Sequence, residues 1–181
     1  MFTLFLESLK FASEKHMAQR RKGCDMVPYI NHLIKVADVL YSIGKENDQE
    51  LLSAAILHDV LEDTCATEKE MRLRFGDRVT NIVIEVTDDM SLTYEDRKRH
   101  QIKNALFISA DAKKIKIADK ISNIEDMLTL PITWSDRRKR QYVQWSQQVI
   151  DNCRGVNVEL EKAFDSVVAK ALQEISDNSN N

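Results

Sequence analysis

The chain has 181 residues, with 26 Lys and Arg against 29 Asp and Glu, a formal net charge of −3, and 43% apolar residues. That length suits one domain with a sizeable core. The slightly acidic balance argues against a nucleic-acid binder, and no stretch approaches membrane-spanning length.

The first predicted element is an amphipathic helix over 2–20, in MFTLFLESLKFASEKHMAQRRK, with Phe5, Leu9 and Ala12 on one side; charges interrupt it too early for a secretory signal. Pro28 marks the entry to a second helix over 30–44, where Leu33, Val36, Ala37, Leu40 and Ile43 give a helical period. The spacing then predicts helices over 48–63, 67–75, 77–88, 94–109, 111–129, 135–153 and 156–175. With 4 Gly and 2 Pro and almost no alternating pattern, the expected fold is all-α, a single bundle of about eight to nine helices. The body is expected over 1–175, and SDNSNN at 176–181 is expected to be a disordered tail. Cys24, Cys65 and Cys153 are odd in number and lack a CxxC, so they suggest neither a disulfide framework nor a thiolate metal site, and the expected location is the cytoplasm. Cys65 reads as a small filler near a helix end.

The third helix carries the most informative feature. In AAILHDVLEDT, His58, Asp59, Glu62 and Asp63 form two i,i+4 pairs on one helical face, opposite Ser53, Ile56, Leu57, Val60 and Leu61. No Lys or Arg offsets these carboxylates, and an imidazole among concentrated negative charge is what a divalent cation needs. Two further positions bear on this. His32 falls in the first turn of the second helix, where a histidine bordering an apolar stripe is also a common core or boundary residue. Asp119 stands in AKKIKIADKISNIEDML as a polar break in a stripe of Ile117, Ile121, Ile124 and Leu128, and forms an i,i+4 pair with Asn123.

His32, the His58-Asp59 pair and Asp119, in this order, resemble the H…HD…D signature of the HD superfamily of metal-dependent phosphohydrolases. HDVLEDT, EVTDD, DRKRHQ, KIADKISNI and WSDRRKRQYVQWSQQV further resemble, in order and spacing, the hydrolase domain of RelA/SpoT proteins. The likeness is strongest to the stand-alone small alarmone hydrolases known as metazoan SpoT homologues, and runs from about Phe11 to Lys162. It implies an HD-type helical bundle that lacks the synthetase region. It implies His32, His58, Asp59 and Asp119 as ligands of one divalent metal, by resemblance Mn²⁺, and Glu62 and Asp63 as the catalytic pair acting on water.

The implied substrate is guanosine 3′,5′-bis(diphosphate), ppGpp, or its pentaphosphate relative, cleaved at the 3′ position to GDP or GTP plus pyrophosphate, which ends a stringent-response signal. Arg21, Lys22, Asn123, Arg138 and Tyr142 match positions that approach the nucleotide in the family. The basic runs Arg20-Arg21-Lys22, Arg97-Lys98-Arg99 and Arg137-Arg138-Lys139-Arg140 read as solvated faces or as phosphate contacts. Trp134, Tyr142, Trp145 and Tyr29 are open between base stacking and core packing. Ser122 departs from the aromatic or His that commonly precedes the Asn. Two alternatives stand beside this reading: removal of the 2′-phosphate of NADPH, and a non-catalytic nucleotide sensor. The expected partner is a small-molecule nucleotide, with neither nucleic acid nor membrane; the oligomeric state is left open.

Overall fold

The computed structural model describes residues 3–21 and 27–178. Among them the structure is all-α. The α-helices are α1 (Thr3–Lys15), α2 (Ile30–Asp38), α3 (Gln49–Leu57), α4 (Val60–Asp63), α5 (Glu68–Val86), α6 (Tyr94–Asn104), α7 (Ala110–Thr129), α8 (Asp136–Asp151) and α9 (Val158–Asn178). Side chains fix most helix starts. Asp48, Thr67, Thr93, Ser109 and Ser135 each accept a hydrogen bond from a backbone N–H of the first turn they precede, satisfying donors that have no partner within the helix.

The core gathers around α7, which packs against α2, α5, α8 and α9. Its Ile115, Ile117, Ala118, Ile121 and Ile124 are fully buried, as are Leu33 and Leu40 near α2, Ile56 and Leu57 of α3, and Phe164 of α9. Each such large side chain contributes roughly 1.5–3 kcal/mol through the water it leaves. α1 packs against α3.

Several elements differ from the sequence expectation. α1 ends at Lys15 instead of residue 20, because the chain turns at 16–18 and then runs extended, forming an antiparallel bridge between Arg20 and Pro28. The helix expected over 30–44 changes at Val39–Ile43 into a π-helical turn, closed by the Gly44 N–H on the Val39 carbonyl at 3.0 Å. The helix expected over 48–63 breaks at His58 and Asp59 into α3 and α4. α6 stops at Asn104, five residues short of 109. α9 continues to Asn178, so residues 176–178 are helical instead of tail; 179–181 lie outside the described residues. The separation of 67–75 from 77–88 has its counterpart in α5, where Gly76 (φ 81°, ψ 174°) leaves helical geometry in a region that only glycine adopts readily. Cys65 is exposed and so fills no core gap, Cys153 is buried, and Cys24 lies outside the described residues.

Candidate active site

A cleft of about 380 Å³ opens where α2, α4, α6, α7 and α8 converge. Ten of the eleven residues singled out from the sequence line it: Arg21, His32, His58, Asp59, Glu62, Asp63, Asp119, Asn123, Arg138 and Tyr142. The eleventh, Lys22, lies outside the described residues.

The floor is built from three elements. α2 presents His32, the break after α3 presents His58 and Asp59, and α7 presents Asp119. At the break His58 is buried, while Asp59, Glu62 and Asp63 line the same cleft. Asp59 has φ −100° and ψ 0°, between helical and extended geometry, while the Asp63 N–H still donates to the Asp59 carbonyl at 2.9 Å. His32 Nε2 is 3.2 Å from Asp119 Oδ1 and 3.8 Å from Asp59 Oδ2; His58 Nε2 is 3.0 Å from Asp59 Oδ2 and 3.8 Å from Asp119 Oδ1.

The donor set fits a divalent cation. Ligand atoms of His32, His58 and Asp59 all lie within 4.8 Å of one another, and Asp119 Oδ1 faces the same point. His58 Nδ1 donates to the Ala55 carbonyl at 2.8 Å, which leaves Nε2 as the atom aimed at the carboxylates, buried and without a properly directed hydrogen-bond partner. Burial alone would lower the His58 pKa, but the Asp59 and Asp119 carboxylates hold it up to about 10. A proton on Nε2 thus answers the same negative field that a metal ion would. Burial works against ionisation of Asp59 and Asp119, yet the former is held well below the usual carboxylate range by His58, and the latter by Lys120 and His32. His32 is pushed down by burial. Its Nδ1 meets Ser122 Oγ at 3.0 Å, so the departure noted at Ser122 supplies an orienting partner for an imidazole.

Glu62 and Asp63 stand beside this cluster, held differently. Glu62 Oε2 accepts from the Asp88 N–H at 2.8 Å, and burial, followed by the Asp59 charge, pushes the Glu62 pKa up to about 7. Asp63 Oδ2 accepts from Gln19 Nε2 at 2.8 Å.

The remaining wall is cationic and aromatic. Arg21 donates through Nη2 to Asn123 Oδ1 at 2.6 Å and through Nε to Asp126 Oδ2 at 3.0 Å, while Asn123 Nδ2 donates to Asp119 Oδ1 at 2.6 Å. The i,i+4 spacing of Asp119 and Asn123 is therefore realised as a contact. Trp134, Tyr142 and Trp145, open between core and cleft in the sequence, all line the cleft while packing partly on the core. Arg138 lies 4.4 Å over the Trp134 ring, and Lys98 and Lys120 lie 4.7 and 4.8 Å from the Trp145 ring centroid. The Tyr29 hydroxyl donates to Asp59 Oδ2 at 2.6 Å.

Sequence reasoning missed Lys120, whose Nζ is 2.8 Å from Asp119 Oδ2 and sets a buried cation beside that carboxylate. It also missed Gln19, Asp88, Gln101, Lys116 and Asp126. The EVTDD and DRKRHQ motifs were the available signal, since Asp88 and Gln101 belong to them and Gln101 Nε2 donates to Asp88 Oδ2 at 2.5 Å.

Comparison with known proteins agrees with this geometry. The chain is 44% identical over 164 residues to the guanosine-3′,5′-bis(diphosphate) 3′-pyrophosphohydrolase MESH1 of Drosophila melanogaster, covering 90% of this chain and 92% of the relative. It is 45% identical over 163 residues to the MESH1 of Xenopus tropicalis, covering 90% and 91%. Its fold is similar to that of a solved protein described as a metazoan ortholog of SpoT that hydrolyzes ppGpp and plays a role in starvation responses, with a TM-score of 0.89, 43% identity, and 93% and 95% of the two chains covered. Residues 8–149 match the family model described as the HD domain, and the chain belongs to the HD-domain family.

Proposed function

We propose that this protein is a metal-dependent guanosine-3′,5′-bis(diphosphate) 3′-pyrophosphohydrolase, the activity named for its MESH1 relatives. The observation that carries the reading is the convergence of two imidazoles and two carboxylates on one point of a cleft whose other wall is cationic. His32, His58, Asp59 and Asp119 would hold the ion; mixed nitrogen and oxygen donors without thiolate suit Mn²⁺, Fe²⁺ or Zn²⁺, and the family resemblance favours Mn²⁺. When bound, the ion supplies Lewis acidity toward a phosphate oxygen and lowers the pKa of water.

The chain's own groups account for the rest. Hydrolysis joins a water oxygen to the phosphorus on the ribose 3′ oxygen, breaks the bond between that phosphorus and the 3′ oxygen, and leaves a proton on the 3′ oxygen. Glu62, with one oxygen fixed by the Asp88 N–H, is placed to take the water proton, and its pKa of about 7 suits a group that must both accept and return it near neutrality. Asp63 orients the water from the adjacent position. Arg21, Asn123 and Arg138 meet the phosphates and ribose, joined by Lys98 and Lys120. Tyr142, Trp134 and Trp145 offer faces to the base.

The test is chromatographic product analysis of purified protein with Mn²⁺, ppGpp and NADPH in parallel, with a chelator control. Chelator-sensitive release of GDP and pyrophosphate is expected. Release of phosphate from NADPH alone would overturn the alarmone assignment, and no turnover of either with metal bound would favour a binding role.

A further inference from the structure

The turn that follows α1 places two side chains, His16 and Gln19, behind Asp63 that the activity does not otherwise use. His16 is buried at 3% exposure, and its ring stacks on Tyr29 with centroids 5.1 Å apart and planes 22° from parallel. Its Nδ1 lies 2.5 Å from Gln19 Oε1, and Gln19 Nε2 donates to Asp63 Oδ2 at 2.8 Å. The roles in this chain follow from donor counting. A carboxylate offers the amide only acceptor oxygens, so Gln19 must turn its NH₂ toward Asp63 and its oxygen toward His16. His16 Nδ1 therefore donates to the Gln19 oxygen, and its buried Nε2 has no partner among the described residues. The backbone holds the same geometry. The Gln19 N–H donates to the His16 carbonyl at 2.9 Å, and the Tyr29 N–H donates to the Gln19 carbonyl at 3.1 Å, so Gln19 is tied at both faces.

We infer that Gln19, oriented by His16, is a positioning residue for Asp63: it fixes one carboxylate oxygen so that the other faces the reacting water. The inference rests on the reading above, in which Asp63 acts in turnover. Asp63 alone sits at the end of a four-residue helix next to an open cleft, where a free carboxylate would rotate. The stack on Tyr29 extends the same frame to Asp59, because the Tyr29 hydroxyl is held by that carboxylate.

Gln19→Met keeps the length of the side chain and removes both amide roles. Its expected effect is a fall in kcat on the order of 10-fold or more, from loss of alignment at the reacting centre, with KM and bound metal unchanged. In an Asp63→Asn background the same substitution should bring no further fall, because the group it positions has gone. His16→Phe keeps a ring on Tyr29 but removes Nδ1, and should lower kcat in the same direction by less. This second variant keeps the inference testable if Gln19→Met is poorly folded, which melting would show. Equal kcat in Gln19→Met, His16→Phe and the parent, alongside a large loss in Asp63→Asn, would overturn the positioning role and leave the proposed function standing. Full kcat in Asp63→Asn would overturn the positioning role and the part given to Asp63 in turnover, with the hydrolase activity itself left standing. Falls in kcat that add fully to that of Asp63→Asn would show Gln19 acting elsewhere and also overturn the inference.

Discussion

Asp119 and Lys120, neighbours on α7, form a buried ion pair in which Lys120 Nζ lies 2.8 Å from Asp119 Oδ2, while the other oxygen of the same carboxylate lies 3.2 Å from His32 Nε2. One carboxylate thus answers to a permanent cation on one side and to the candidate metal point on the other. Burial would neutralise Lys120, but Asp119 holds its pKa above the ordinary lysine value.

Removing that cation strands the carboxylate. Lys120→Met should destabilise the metal-free protein by about 3 kcal/mol, the usual scale for breaking a buried pair. With Mn²⁺ present the loss should shrink, because the ion supplies positive charge to the same group. Urea unfolding in chelator and in excess Mn²⁺ measures both; equal losses in the two conditions would refute the shared role of Asp119.

Ligand and catalytic carboxylates should separate experimentally. Asp59→Ala and Asp119→Ala should lose bound metal and turnover together, whereas Glu62→Gln should retain metal while turnover falls by a factor on the order of 10² or more. Metal content by elemental analysis, read beside steady-state rates, distinguishes the classes. Turnover by a metal-free Asp59→Ala protein would remove the basis of the mechanism.

The pH dependence follows from Glu62. Burial and then the Asp59 charge raise its pKa to about 7, and a general base works in its ionised form, so kcat/KM should rise with pH through a limb whose midpoint is at or below about 7. A bound cation favours the ionised form and moves the limb downward, never upward. The limb should be absent from the residual activity of Glu62→Gln; its persistence there would assign it to another group.

Arg21 is expected to act on substrate binding. It is tied to Asn123 and Asp126 at the cleft wall, and Lys35 Nζ also lies 2.9 Å from Asp126 Oδ1, so Asp126 keeps a partner when Arg21 is removed. Arg21→Ala should lower kcat/KM by about 10- to 100-fold, the scale of a lost charged hydrogen bond, mainly through KM. A change confined to kcat would contradict a phosphate-binding role.

Away from the cleft, Gly76→Ala should cost about 1–3 kcal/mol without altering kcat, because the left-handed backbone there disfavours a Cβ. The space itself is open, with no atom within 4 Å of where that Cβ would stand. Thermal unfolding and a single saturating rate suffice to check it; an unchanged melting temperature would mean that the backbone relaxes out of φ 81° at little cost.

What lay in the sequence was local. Helical spacing located most helices, because i,i+4 faces are set within a few residues; the starts of four of them are capped just as locally, by Thr67, Thr93, Ser109 and Ser135. The same locality made Asp119 and Asn123 legible as a pair, and placed Asp59 and Asp63 one turn apart. Tertiary structure decided the break at His58 and Asp59, the Gln19 amide on Asp63 across 44 residues, the Ser122 hydroxyl on His32 across 90, and Arg21 on Asp126 across 105. Spacing carries no trace of such pairs. They arise because packing the apolar stripes of α2, α3 and α7 brings polar groups from distant parts of the chain to one cleft, where buried ones such as His32 and Ser122 must find a partner.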